Sequence, residues 1–270
     1  MRRLTLWIGV LLVAANVALA IVSFFWLPYD PTSMTGGRLQ PPSWEHWAGT
    51  DRLGRDYFTQ VMIGARVALT VGICATLLGA VTGATLGILS AFARRGMDDS
   101  FAATFDILIA FPQLLLAMLV VAASDGASLG TAMVAIGLAM SAIIARLTRI
   151  LTKRVLAQDY ITAARCSGVT WPRIVASHIL PNILPTLMVA LALQFGHAVI
   201  AEASLSYLGL GAPPPNASWG HMMQQAQSTV FASPIGVLAP GIALVALVLG
   251  TNFLADGLRD VLDPERSDAT

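Results

Sequence analysis

Residues 159–182 read Asp-Tyr-Ile-Thr-Ala-Ala-Arg-Cys-Ser-Gly-Val-Thr-Trp-Pro-Arg-Ile-Val-Ala-Ser-His-Ile-Leu-Pro-Asn, a polar and partly basic segment between long apolar runs. Small residues and a glycine in such a segment predict a short helix and a turn that are slim enough to enter a groove on a partner. The fold therefore depends on whether the apolar runs on either side cross a membrane.

The composition indicates a membrane protein. The 270 residues are 56% hydrophobic and 11% charged, with a mean hydropathy of +0.72, whereas soluble domains carry about 25% charged residues. This little polar surface cannot face water on all sides, and the bilayer is the expected solvent. The net charge of +1 gives no sign of nucleic acid as a partner. Cys74 and Cys166 fall in segments of different polarity and are not expected to pair.

Six apolar runs are long enough to cross the bilayer. About 20 residues at 1.5 Å per residue cover a hydrocarbon core of about 30 Å. Continuous runs, rather than alternating ones, must be helices, because helices satisfy every backbone group in lipid. The predicted fold class is therefore all-α, a polytopic membrane protein with six transmembrane helices. The predicted spans are 6–25, 67–93, 101–123, 129–151, 183–203 and 235–258.

Lysine and arginine predict the orientation. With the N-terminus inside, twelve of the 16 basic residues fall on the cytoplasmic side and four outside, and both termini are therefore expected in the cytoplasm. The first run exceeds the apolar core of about 7–15 residues found in signal peptides and is expected to be retained. The resulting division is a first helix at 1–27, an external loop at 28–66, a core at 67–264 with five spans and an internal loop at 152–182, and a cytoplasmic tail at 265–270.

Glycine and proline mark two of the spans. Gly79, Gly83 and Gly87 recur every four residues and predict a close helix contact, either inside the chain or at a seam with another membrane subunit. Pro112 is expected to kink the third span. A cap for that span is expected from Asp98, Asp99 or Ser100.

Polar residues at membrane depth are candidates for a translocation path. Gln194, His197 and Glu202 lie in the fifth span, where they could line a water-filled path or form hydrogen bonds between helices. Asp106 near the start of the third span is expected at the membrane surface rather than in a path. The spans lack the dense chain of carboxylates that a proton-driven pump uses, which favours an energy source outside this chain.

Capping residues, a glycine and prolines divide residues 159–182 into helices and turns. Asp159 is a candidate N-cap for a short helix from Tyr160, and Ala163 and Ala164 keep that helix slim. Gly168 tolerates the left-handed conformation of a C-cap. A second helix is expected from Trp171-Pro172, followed by a break at Pro181-Asn182.

This segment closely resembles the cytoplasmic EAA loop of ABC importer permeases. Ala163, Ala164 and Gly168 match at the right spacing, and residues 178–182 match its Leu-Pro-Asn end, while Thr162 replaces the usual glutamate. In the family this loop docks on the ATPase subunit. The resemblance therefore implies a docking site at Tyr160, Thr162, Ala163, Ala164, Gly168 and Trp171, without the ion pair that the glutamate would make.

Three further stretches resemble the peptide/nickel branch of these permeases, of the second-subunit type. They are residues 49–56, Gly-Thr-Asp-Arg-Leu-Gly-Arg-Asp; residues 205–220, which hold Leu-Ser-Tyr-Leu-Gly-Leu-Gly and Ser-Trp-Gly; and residues 252–264, which end in Leu-Asp-Pro. The resemblance implies the type I importer permease fold in a bacterial inner membrane. It also implies a cargo of dipeptides or short oligopeptides, with nickel or a metal chelate as the alternative. The implied partners are a second permease, two ATPases, an external substrate-binding protein and membrane lipid.

Four residues of these stretches are candidates for an external gate or a contact with the binding protein: Asp51, Arg55, Asp56 and Trp219. The alternative for the charged residues is a solvated cap on an interfacial helix. Trp219, with Met222 and Met223, is expected at the membrane surface.

Other classes of function fit less well. The sequence has no Gly-x-x-x-x-Gly-Lys-Ser/Thr loop, and ATP and magnesium are therefore expected on partner subunits, with no cofactor and no catalysis in this chain. An ion-coupled secondary carrier would need internal repeats or paired membrane carboxylates, which the sequence does not show. A membrane enzyme would need a nucleophile beside His197 and Glu202, and none is present.

Overall fold

A computed structural model describes residues 2–124, 126–211, 213 and 217–262. Within these ranges the chain is built from α-helices, and the only pairing of extended backbone is an isolated bridge between Thr50 and Asp56. The helices are α1 (Arg2–Phe25), α2 (Tyr57–Ala91), α3 (Arg95–Ala110), α4 (Gln113–Ala122), α5 (Leu129–Leu156), α6 (Asp159–Cys166), α7 (Trp171–Ile174), α8 (Leu180–Tyr207), α9 (Trp219–Ala226) and α10 (Ile235–Leu262).

Five of the described helices are long and apolar enough to cross a membrane, and the bent pair α3 and α4 makes a sixth span if it counts as one. These are Thr5–Phe25, Tyr57–Ala91, Leu129–Leu156, Trp171–Tyr207 and Ile235–Asp260. The prediction of an all-α polytopic membrane protein is confirmed.

The second span begins earlier than the sequence predicted. The expected start was residue 67, but α2 begins at Tyr57, because the Asp56 carboxylate caps it by accepting the Thr59 backbone N–H at 2.7 Å. The last part of the predicted external loop, residues 57–66, is therefore helical.

The third span is broken at the predicted proline. The axes of α3 and α4 meet at 91° around Phe111-Pro112, a sharper bend than an ordinary kink. The predicted cap was wrong: α3 begins at Arg95, without a side-chain cap. Asp98 instead accepts from Arg149 Nε at 2.6 Å and pairs with Lys153, which fixes the start of α3 against α5.

The glycine repeat of α2 packs against α5. A Cβ added at Gly79, Gly83 or Gly87 would lie 3.0, 2.6 or 2.5 Å from a backbone carbonyl oxygen of α5. Only glycine allows this approach, because real Cβ atoms stay farther away. Of the two readings of the repeat, the contact inside the chain is confirmed.

The helix at Pro181 is not interrupted. A π-helical turn, Val175–Ile179, joins α7 to α8, and the Leu180 N–H donates to the Val175 carbonyl. The wider turn absorbs a proline that has no N–H and would clash with the preceding turn. The Asn182 side chain donates to the His178 carbonyl at 2.6 Å. The predicted break at Pro181-Asn182 is therefore replaced by a change of helical register.

Candidate functional site

The segment between α5 and α8, residues 158–174, forms what we call the foot. It lies at the C-terminal end of α2, where the edge of the Phe92 ring meets Trp171 with 5.0 Å between ring centroids. The opposite end of α2 carries the cap, which we define as residues 28–56 together with α9. The Trp219 side chain of α9 donates to the Val61 carbonyl near the start of α2.

Local backbone chemistry defines the foot helix α6. It begins at Asp159, one residue earlier than predicted, and its N-cap residue is Gln158, without a side-chain cap bond. It ends at a left-handed Gly168, with φ +81°. The N–H groups of Gly168 and Val169 donate to the carbonyls of Arg165 and Ala164 at 3.0 and 3.1 Å, a Schellman motif that satisfies the end of the helix. The prediction that a left-handed Gly168 ends this helix is confirmed.

One apolar side chain anchors α6 to the rest of the molecule. Ile161 is the only buried residue of this eight-residue helix. It belongs to a cluster that draws on both flanking spans, with Val155, Ile174, Ile179 and Ile183. The foot and the ends of α5 and α8 are therefore packed as one unit.

The remaining foot surface is open. Thr162 and Ala163 are exposed and Ala164 is half-buried, while a Cβ at Gly168 would meet nothing within 4 Å. The six predicted docking residues thus lie in α6, in the turn that follows it and at the first residue of α7, with little of this chain over them.

Two rings border this open surface and are held in place. Tyr160 stacks on His178 with ring centroids 6.1 Å apart. The Arg165 guanidinium lies 4.3 Å from the centre of the Trp171 ring and donates to the Val169 carbonyl at 2.9 Å. These contacts hold the two aromatic residues before any partner binds.

The charged residues Asp51 and Arg55 bind groups within the cap. The buried Asp51 carboxylate accepts from the backbone N–H groups of Leu53 and Arg55 at 2.8 and 2.9 Å and from the Arg55 side chain at 2.6 Å. The alternative prediction, that these charged residues are solvated at the end of an interfacial helix, is wrong for both aspartates, because Asp51 and Asp56 are buried. Arg55 is half-buried and reaches Gln225 of α9 at 3.0 Å.

Asp56 joins the cap to the start of α2. Beyond capping α2, its carboxylate lies 3.0 Å from Nδ1 of the buried His46 and accepts from the Thr59 hydroxyl at 2.9 Å. The pattern Asp-x-x-Thr before an apolar run is a helix-start signal that could have located the true start of α2 from sequence.

Trp219 is an interior residue. Its side chain is 0% exposed, it donates from Nε1 to the Val61 carbonyl at 3.1 Å, and its ring fills the space left by the missing side chain of Gly64. The expected position of Trp219 and Met222 at the membrane surface is wrong, because both are buried in the contact of α9 with the bundle. Trp219 therefore offers no surface to a partner in this structure.

The three candidates for a translocation path belong to two separate hydrogen-bonded groups. The Gln194 amide oxygen lies 3.1 Å from Nδ1 of His197, which is exposed. Glu202 is 1% exposed and accepts from the Ser206 hydroxyl at 2.7 Å. Gln194 and His197 thus form a pair, and Glu202 belongs to a separate polar group near the cap. In the described part of the chain, no three His, Cys, Asp or Glu residues are placed to hold a metal ion.

Comparison with known proteins gives consistent results. The family model of the binding-protein-dependent transport system inner membrane component matches residues 83–268. The chain is 41% identical, over 98% of its length, to a putative peptide transport system permease protein of Brucella suis biovar 1, of which it covers 89%. It is 38% identical, over 96% of its length, to the dipeptide transport system permease protein of Alkalihalophilus pseudofirmus, of which it covers 85%.

A solved structure shares the fold. A chain of the MetNI methionine ABC transporter in an inward-facing conformation superposes with a TM-score of 0.64, at 20% identity, over 76% of this chain and 96% of that one. This likeness supports the ABC importer permease fold predicted above. Taken with the family match over most of the chain, it leads to one assignment: the protein belongs to the family of binding-protein-dependent transport system inner membrane components.

Proposed function

We propose that this chain is the permease subunit of an ATP-driven importer for dipeptides or short oligopeptides. The observation that carries the coupling role is the foot, whose short helix α6 lies between two spans and has one buried residue and an exposed, slim surface. The names of the relatives, for peptide and dipeptide transport, favour peptides over nickel as the cargo.

Energy enters through the foot in this proposal. ATP and magnesium bind on separate ATPase subunits, and a groove on one of these ATPases receives Ala163 and Ala164 of this chain between the rings of Tyr160 and Trp171. Because Ile161 packs the foot against the ends of α5 and α8, a displacement of the foot moves both helices as a rigid body. Alternating access then follows from the movement of these helices against a second permease.

The proposed docking of the foot on a cytoplasmic ATPase also orients the chain in the membrane. The foot and both termini face the cytoplasm of a bacterium, and the cap faces the external binding protein. Two ATPases and a second permease complete the assembly. His197 is the better candidate for the translocation path, because it is exposed whereas Gln194 and Glu202 are both buried within this chain. Arg55 and the exposed Arg52 are the better candidates for contact with the binding protein.

The docking role is tested by Gly168→Val in the reconstituted transporter. A β-branched residue at φ +81° is strained by about 1–2 kcal/mol and distorts the end of α6. We expect uptake of a radiolabelled dipeptide to fall at least about tenfold, while membrane insertion is normal and the ATPases still hydrolyse ATP.

The matched control is Gly96→Val. A Cβ at Gly96 also meets nothing within 4 Å, but this glycine has no positive φ. Normal uptake by Gly168→Val, or an equal loss in both variants, would refute the docking role.

A further inference from the structure

A crevice of about 230 Å³ lies beside the end of α1, within the cap. Its walls are mainly aromatic, and the residues that carry the argument are Trp26, Tyr29, Trp44, Glu45, Trp47 and Phe58. Neither the coupling role of the foot nor the peptide path uses this crevice.

The rings of the crevice are arranged as a continuous wall. The ring centroids of Trp26 and Trp47 are 6.4 Å apart, and those of Trp47 and Phe58 are 5.1 Å apart. The Tyr29 hydroxyl donates to the Glu45 carbonyl at 2.6 Å and fixes the far side. Trp44 is 97% exposed, which leaves a large apolar surface without cover. The faces of such rings carry partial negative charge and attract cations.

One carboxylate at this crevice is uncommitted. The exposed Glu45 side chain makes no ion pair or hydrogen bond with the described residues. The other acid that lines the crevice, Asp56, is already bound by His46 and Thr59. Aromatic faces together with one free carboxylate select an ammonium group rather than an anion or a neutral molecule.

A cation lies below the crevice, towards the membrane. Arg66 of α2 contacts Ser23 and Phe24 of α1, three and two residues before Trp26, which lines the crevice. Its guanidinium lies 4.1 Å from the centre of the Phe24 ring, and Nε donates to the Ser23 hydroxyl at 2.5 Å. Phe24 is 68% exposed in the last turn of α1, where the hydrocarbon ends.

The geometry points to a binding site for a phospholipid with an ammonium headgroup, of the phosphatidylethanolamine type, in the membrane leaflet at the cap end. The terminal nitrogens of Arg66 bind its phosphate. The ammonium enters the aromatic crevice against Glu45. An anionic lipid without an ammonium group satisfies Arg66 alone, and this difference predicts selectivity among headgroups.

The test uses the full chain purified in detergent. Phosphatidylethanolamine and phosphatidylglycerol with the same acyl chains are added in equal amounts, and the retained lipid is counted by native mass spectrometry. We expect the wild type to retain phosphatidylethanolamine preferentially. Trp44→Ala and Glu45→Gln should each lower that retention about three- to fivefold, while Arg66→Gln should lower the retention of both lipids.

The matched control is Trp7→Ala, since Trp7 is an exposed tryptophan at the other end of α1. This variant should retain both lipids like the wild type. Equal retention of the two lipids by the wild type would overturn the proposal, and so would unchanged selectivity in both crevice variants. Displacement of the lipid by millimolar alanylalanine would overturn it as well, because the crevice would then bind the amino terminus of a peptide.

Discussion

The cap and the foot lie at opposite ends of α2, and their polar residues are used in opposite ways. In the cap, Asp51 and Asp56 are buried and accept hydrogen bonds from their own chain. In the foot helix only Ile161 is buried, and the neighbouring Thr162 and Ala163 are exposed. The cap is therefore completed within this chain, whereas the foot has a surface that another protein can complete.

This difference separates two kinds of sequence signature. The charged stretch at residues 49–56 looks like an interaction surface in the sequence, but most of its polar groups stabilise the start of α2 and the contact with α9. Ala163 and Gly168 of the foot are exposed and have little of this chain around them, and they gain most from a partner. Substitutions in the cap should therefore reduce stability, and substitutions in the foot should reduce coupling.

The largest effect is expected at Gly220, where α9 meets α8. A Cβ at Gly220 would lie 1.9 Å from the Ala203 carbonyl oxygen, a backbone atom that cannot move alone. Gly220→Ala should therefore lower the free energy of unfolding by about 3 kcal/mol and reduce the monodisperse fraction in gel filtration. Gly241→Ala is the control, because a Cβ there meets nothing within 4 Å. Wild-type melting of Gly220→Ala would show that α9 is not packed on the bundle.

The next effect is expected at Asp56. Asp56→Ala removes the N-cap hydrogen bond of α2 and leaves the buried His46 without its partner. We expect a loss of about 2 kcal/mol in thermal unfolding of the purified chain. Asp30→Ala, which breaks only exposed hydrogen bonds to Thr32, should lose less than about 0.5 kcal/mol. Similar losses in the two variants would mean that the cap network does not hold α2.

The same contrast explains what the sequence could predict. Hydrophobic runs located the five spanning helices and the bent pair α3 and α4, because a bilayer imposes length and composition on each helix independently. The left-handed Gly168 and the break at Pro112 were predictable for a similar reason, since each depends on the backbone of one residue.

The sequence predictions were wrong where the position of a side chain depends on residues far along the chain. The burial of Trp219 requires a space that Gly64 leaves on another helix, and the ion pairs of Asp98 require α5. The start of α2 was missed because residues 57–66 are less apolar than the rest of the helix. Asp56, a residue type typical of helix N-caps, could have indicated the true start. The foot was predictable because so little of it depends on the rest of this chain.

A smaller effect is expected for Ala163 in the foot, and it should appear in binding rather than in stability. Ala163→Gln keeps helix propensity and adds an exposed side chain that touches nothing in this chain. The thermal stability of the permease should stay within about 0.5 kcal/mol. Its affinity for the ATPase subunits, measured by titration in nanodiscs, should fall about tenfold because the added bulk overpacks the groove. Unchanged affinity would place the contact elsewhere on the foot.

The smallest effect is expected from the titration of His221, which tests whether the cap network is committed to one protonation state. The amide nitrogen of Gln225 lies 2.7 Å from Nε2 of His221, while the amide oxygen accepts from Arg55 at 3.0 Å. Nε2 must then be an acceptor, and the imidazole is neutral. Burial, together with the nearby positive charge of Arg55, lowers the pKa of His221 below its ordinary value.

The sign of the pH dependence follows from this lowered pKa. Between the folded pKa and the ordinary value of about 6.5, the unfolded chain binds a proton that the folded chain does not, and stability falls as the pH decreases through that window. Melting temperatures at pH 7.5 and pH 5.5 should therefore differ more for the wild type than for His221→Gln, which still offers an acceptor to Gln225. Equal decreases in melting temperature in both proteins would show that His221 can take up a proton without disturbing Gln225. The hydrogen bonds around His221 would then not be committed to one protonation state.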